Sequence, residues 1–130
     1  NNITIIKHLA PSKLSALYRE SNFFILPSLI DHWPLVVHEA ALSGCFLLLS
    51  NRVVNIHEFA NKTNSIIFDP KSVHSIKNSF EKAMLLTNKE LNAASKESKK
   101  LGNIYNYEYS FTRFIQIINL CLKKKYNKNN

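Results

Sequence analysis

The chain has 130 residues, 45% of them hydrophobic, the size of one domain that buries roughly two-thirds of its unfolded surface. No apolar run approaches the ~20 residues that span a bilayer, and the opening Asn1-Asn2-Ile3, with neither an initiator Met nor a signal-peptide pattern, reads as an internal start. The net charge of +8 draws on lysines at 96–100, 123–125 and 128; it reads as solvated surface or as contact with an anionic membrane face, and it points to no nucleic-acid partner.

Four short apolar runs, 3–6, 22–26, 46–50 and 65–68, read as strands. Each is nearly continuous in apolar character, as strands covered on both faces of a parallel sheet are. Residues 12–20 carry Leu14, Leu17 and Tyr18 at helical spacing behind Pro11, with Ser12 as the expected N-cap. Cys45 stands beside the third run and reads as a small buried hydrophobe; neither it nor Cys121 has metal or CxxC spacing, which fits a reducing cytosolic setting.

Between the second and third runs, residues 34–43 form a helix that is expected to begin with Pro34 and end at Gly44. Further on, Ser72 and its neighbours precede a helix over 73–86 with Ile76, Phe80, Ala83 and Met84 on one face. A polar, small-residue helix over 89–101 reads as a surface element broken by Gly102-Asn103. A last helix over 110–124 has Phe111, Phe114, Ile115, Ile118 and Leu122 as its expected buried stripe. Strands alternating with helices indicate an α/β fold.

The segment Pro27-Ser28-Leu29-Ile30-Asp31-His32-Trp33-Pro34 joins a strand end to a helix start. The first N–H groups of a helix are unpaired and favour an anion. Glu39 lies five residues past Pro34, about 7–8 Å down the axis, where a carboxylate suits vicinal hydroxyls. Physical reading alone leaves an alternative open, in which Asp31 caps the helix and Glu39 is a solvated helix residue. Trp33 reads as a loop anchor before it reads as a stacking platform.

The order Pro27-Ser28, Asp31, Glu39-Ala40, Gly44 and Leu47-Leu48-Leu49-Ser50 resembles the carboxyl-terminal part of retaining glycosyltransferases of the GT-B fold, specifically glycosyltransferase family 4 of the glycosyl transferases group 1 type. Those enzymes carry a strand, then Pro-Ser, an acid, seven residues, a Glu followed by Ala, and a Gly ahead of the next strand. His57-Glu58-Phe59 and the segment from Asn64 to Pro70 continue the likeness, whereas Asp31, His32, Pro34 and Phe46 replace residues usual in the pattern.

The resemblance implies a Rossmann-like three-layer parallel sheet with helices on both faces, strand order 3-2-1-4-5-6, and here without its first two strands. Residues 1–124 would be a partial nucleotide-sugar-binding domain and 125–130 a basic, disordered tail. By resemblance, Ser28, Trp33, Leu35, Val36 and Glu39 bind the donor. The amides of 33–36 take the diphosphate, Glu39 holds the ribose hydroxyls, and Asp31 contacts the transferred sugar. Asp31 and Glu39 are then the residues at the reaction. No metal or other cofactor is expected.

The partners implied are a nucleoside diphosphate sugar, a missing N-terminal domain or another chain at the exposed sheet edge, and an anionic membrane. The parent enzyme would build polysaccharide or glycolipid in the cytoplasm, peripherally at the inner face of the plasma membrane, and the chain alone would not turn over. The alternative is a truncated, non-catalytic module for protein association.

Overall fold

A computed structural model describes residues 3–126. Three of the apolar runs become strands: β1 (Phe23–Leu26), β2 (Phe46–Ser50) and β3 (Ser65–Phe68). They form one parallel sheet in the order β1-β2-β3, with Phe23 opposite Phe46 and Leu47 opposite Ser65. Central β2 is buried at every position, which is what a continuous apolar run predicts for a strand covered on both faces.

Because side chains alternate along a strand, β2 feeds two cores. Leu47 and Leu49 pack with Val37, Ala40, Ala41 and Phe59 on one face, and Phe46 and Leu48 pack with Phe68, Ala83 and Ala94 on the other. The first face is covered by α1 (Pro11–Glu20), α2 (Leu35–Ser43) and α3 (Ile56–Phe59). The second is covered by α4 (Val73–Met84) and the first half of α5 (Asn88–Ile104). The expected three-layer α/β architecture is therefore present, and α6 (Tyr107–Tyr126) follows it. Of the expected tail, residues 125 and 126 belong to α6, and 127–130 lie outside the described residues.

Several expectations are corrected. Residues 3–6 are not a strand, and Ile3 and Ile5 are exposed. A strand needs a ladder neighbour, and among the described residues no strand pairs with them or with the outer edge of β1. In α1 the first helical residue is Pro11 and the cap is Ala10, not Ser12, because the fixed φ and missing N–H of Pro suit the first helical position. The helix after Ser72 stops at Met84, two residues short of the predicted end. The stripe of α6 is not buried: Phe111, Phe114, Ile115, Ile118 and Leu122 are all exposed. Periodicity reveals an apolar face but not what covers it.

The largest correction concerns α5. It is an interior element rather than a surface one, and it runs through Gly102-Asn103 to Ile104. Ala94, Ser98 and Gly102 recur every fourth residue and are all buried. Gly102 lies so close to α2 that a Cβ there would stand 2.9 Å from the Leu42 backbone nitrogen. Beside it Ser98 Oγ donates to the Cys45 carbonyl at 2.8 Å and accepts from Asn64 Nδ2 at 3.0 Å. These bonds lock the start of β2 to α5 and to the turn before β3.

Candidate active site

The site grows from the carboxyl ends of β1 and β2. After Leu26 the chain passes Pro27 and a half-buried Ser28, then exposes Leu29 and Ile30. At Asp31 the backbone is caught again. Its N–H donates to the Arg52 carbonyl at 3.2 Å, and its carbonyl accepts from the Val54 N–H at 3.0 Å, a one-residue parallel bridge to Val53. The loop is thus pinned to the segment that leaves β2, with the Asp31 side chain half-exposed.

Pro34 is buried and is the cap residue of α2, so the helix starts at Leu35, one position later than the sequence suggests. No side chain caps this end, and the first turn holds no acidic residue. Asp31 is therefore not a helix cap, which removes that half of the alternative reading. The Val37 N–H bonds back to the Pro34 carbonyl at 3.1 Å, leaving those of Leu35 and Val36 without intrahelical partners. An uncapped helix start with free N–H groups and no competing carboxylate in its first turn favours an anion. At the other end Gly44 takes φ of 89° and donates to the carbonyls of Ala40 and Ala41, the expected C-terminal stop.

A buried side chain supports this helix start. Asn55 is fully buried, and its Nδ2 donates to the Pro34 carbonyl at 3.4 Å, while its Oδ1 has no partner among the described residues. Nothing in the sequence pattern singles Asn55 out. His38 is a packing residue: its ring stacks on Phe59 with centroids 4.8 Å apart, and Nε2 lies 2.8 Å from the Gly102 carbonyl.

Glu39 is exposed and faces elsewhere. It borders a pocket of about 290 Å³ between α1 and α2, walled by Leu9, Pro11, Leu14, Tyr18 and Leu42. Burial, followed by the Glu39 and Cys45 charges, raises the pKa of the Tyr18 phenol above its ordinary value. Cys45 is fully buried with its thiol donating to the Tyr18 carbonyl, and burial pushes its pKa up. The pocket is thus mostly apolar with one carboxylate at its edge.

The predicted residues therefore fall into two groups, which the structure does not bring into one pocket. Asp31, Trp33, Leu35 and Val36 surround the α2 N-terminus, whereas Glu39 alone of the set lines the α1–α2 pocket. Trp33 is half-exposed, and Ser28 is at the loop's beginning. Glu58, on α3, is half-buried. No cluster of three potential metal ligands occurs among the described residues.

The glycosyl transferases group 1 profile matches residues 1–101. The chain belongs to the glycosyl transferases group 1 family. Among solved structures, sucrose-phosphate synthase from Thermosynechococcus elongatus superposes with a TM-score of 0.79 at 15% identity, over 93% of this chain. That identity speaks for the fold alone, and the fold is that of the carboxyl-terminal domain of a GT-B glycosyltransferase. The chain spans 30% of the length of that structure. No curated protein matches the sequence. The β1-β2-β3 order, with every strand parallel, is that of one half of an open doubly wound sheet.

Proposed function

We propose that the chain is the donor-binding part of a retaining, nucleotide-sugar-dependent glycosyltransferase of family 4 that builds polysaccharide or glycolipid in the cytoplasm. The observation that carries this reading is the uncapped N-terminus of α2, with Glu39 about one turn further along the same helix at the edge of the α1–α2 pocket. In it, the nucleoside enters the α1–α2 pocket and its ribose hydroxyls donate to the Glu39 carboxylate. The diphosphate accepts from the Leu35 and Val36 N–H groups, with Trp33 and Ser28 at the rim. Asp31, its backbone pinned to Val53, receives hydroxyls of the sugar. As the glycosidic bond breaks, charge grows on the departing diphosphate, and the fixed N–H groups and dipole of α2 stabilise it without rearranging. No metal is assigned a role.

Thermal shifts of the purified chain against UDP-, GDP- and ADP-sugars test the reading. One nucleotide should raise the melting temperature, and EDTA should leave the shift unchanged. Glu39→Ala should weaken binding of nucleotide and nucleotide sugar alike, on the order of tenfold to a hundredfold for a lost charged hydrogen bond. Asp31→Ala should leave the bare nucleotide unaffected and weaken only the nucleotide sugar. A folded chain that responds to none of the three ligands would overturn the proposal.

The free edge of β1 favours a second reading, a module for protein association. Obligate dimerisation with no nucleotide response would select it.

A further inference from the structure

Asn55 occupies the N-cap position of α3 yet makes no cap bond there, although capping is the usual reason for an Asn at the start of a helix. Its side chain instead crosses to another element. It is fully buried, its Nδ2 donates to the Pro34 carbonyl at 3.4 Å, and its Oδ1 has no partner among the described residues. A buried acceptor left unpaired costs stability. The Pro34 carbonyl does not depend on Asn55, because it already accepts from the Val37 N–H at 3.1 Å. An apolar side chain of the same shape would fill the position and orphan nothing, so the fold alone gives no reason for an amide.

The reason lies in which peptide the amide holds. The Pro34 carbonyl and the Leu35 N–H belong to one planar unit and point in opposite directions. A donor on that carbonyl therefore fixes the direction of the Leu35 N–H, the first free donor of α2. It also polarises the unit and strengthens that N–H as a donor. The same segment grips the loop at Asp31, through the Arg52 carbonyl and the Val54 N–H, so residues 52–55 hold both ends of the stretch from Asp31 to Pro34. We infer that Asn55 is a positioning residue for the diphosphate, aiming the Leu35 N–H through the Pro34–Leu35 peptide and touching no ligand itself. The inference rests on the reading of the α2 N-terminus as the diphosphate site.

Titrations followed by NMR test it, with inorganic pyrophosphate and with UDP, GDP and ADP, on the native chain, Asn55→Leu and Asn55→Asp. In the native chain the Leu35 backbone amide and the Asn55 side-chain amide resonances should move together as pyrophosphate binds. Asn55→Leu keeps the shape and removes the orphaned acceptor, so its melting temperature should match that of the native chain. It should bind the diphosphates about fivefold more weakly, the effect of one net hydrogen bond, and bind the matching nucleoside as the native chain does. Asn55→Asp sets an oxygen against the Pro34 carbonyl and should lose at least as much. A purely structural role would weaken nucleoside and diphosphate alike, and that result overturns the inference. So does diphosphate binding unchanged in both variants, or a Leu35 resonance that moves while the Asn55 amide stays still. Each of these outcomes leaves the donor site standing. A native chain that binds neither pyrophosphate nor any of the three nucleotides removes the donor reading and the inference with it.

Discussion

Gly44 shows how one residue can set the geometry of a whole site. Its φ of 89° ends α2 and lets β2 start two residues later, so the length of α2 and the position of Glu39 along it both depend on this residue. An added Cβ would meet Ser95 Oγ and come within 2.7 Å of Lys99 Cε. Both obstacles end flexible side chains and can move aside, but the left-handed backbone cannot be relieved. Gly44→Ala should therefore destabilise the fold by about 2 kcal/mol, measured by urea unfolding. Gly44→Asn, which tolerates that conformation better, should lose less, although its Cβ meets the same neighbours. Gly44, Asp31 and Glu39 are legible in the sequence because each belongs to a pattern fixed by chain geometry, a helix stop or an acid spacing across a helix start. Asn55 is not legible. Its importance comes from burial against Pro34, 21 positions away, and no local spacing encodes that contact.

At the scale of elements, α5 hides its interior role, because its polar residues mask a stripe of small ones. The Ala94, Ser98, Gly102 repeat was the available signal, and it marks close helix approach rather than weak helix. Gly102→Ala tests that role. Alanine in a helix interior gains about 1 kcal/mol over glycine, whereas pressing a Cβ to 2.9 Å from the Leu42 backbone costs about 1–3 kcal/mol. The second term should win, giving a lower melting temperature in calorimetry, because the obstacle is backbone and cannot rotate away. The start of α5 provides a pH-dependent prediction. Thr87 and Glu90 form a reciprocal capping box, with the Glu90 carboxylate accepting from the Thr87 N–H at 2.8 Å and from its hydroxyl. Those hydrogen bonds hold the Glu90 pKa below its ordinary value. A carboxylate depressed in the folded state stabilises it above the unfolded-state pKa and loses that effect as pH falls through the folded one. The difference in melting temperature between the native chain and Glu90→Gln should therefore be largest near pH 7 and shrink as the pH is lowered below about 4. A difference that stays constant with pH would show that the carboxylate charge plays no part.

For the molecule as a whole, apolar character and burial diverge at the two ends of the chain. Residues 3–6 have strand composition without a ladder partner, and α6 has a core-like stripe without a core. Between them, Leu47, Leu48, Leu49 and Phe59 are buried on both sides of a three-stranded sheet, so the stability of the chain resides in residues 11–104. Within that span every covering element either contributes to one of the two cores or, like α1 through Tyr18, packs against one. The aromatic path from His38 through Phe59 and Tyr105 ends at Tyr109, where α6 leaves the body. A chain ending at residue 106 keeps Tyr105 and both cores and loses the Tyr109 edge contact with the helix beyond it. Its melting temperature should stay within about 5 °C of the full chain, the shift for under 1 kcal/mol in a domain of this size. Ending the chain at residue 87 removes Ala94, Ser98 and the Gly102 approach, and should abolish cooperative unfolding altogether. Calorimetry of the two shortened chains decides the matter: a large loss on removing 107–130 would mean that α6 folds against the body in solution, and the free apolar face would then have its cover within the chain itself.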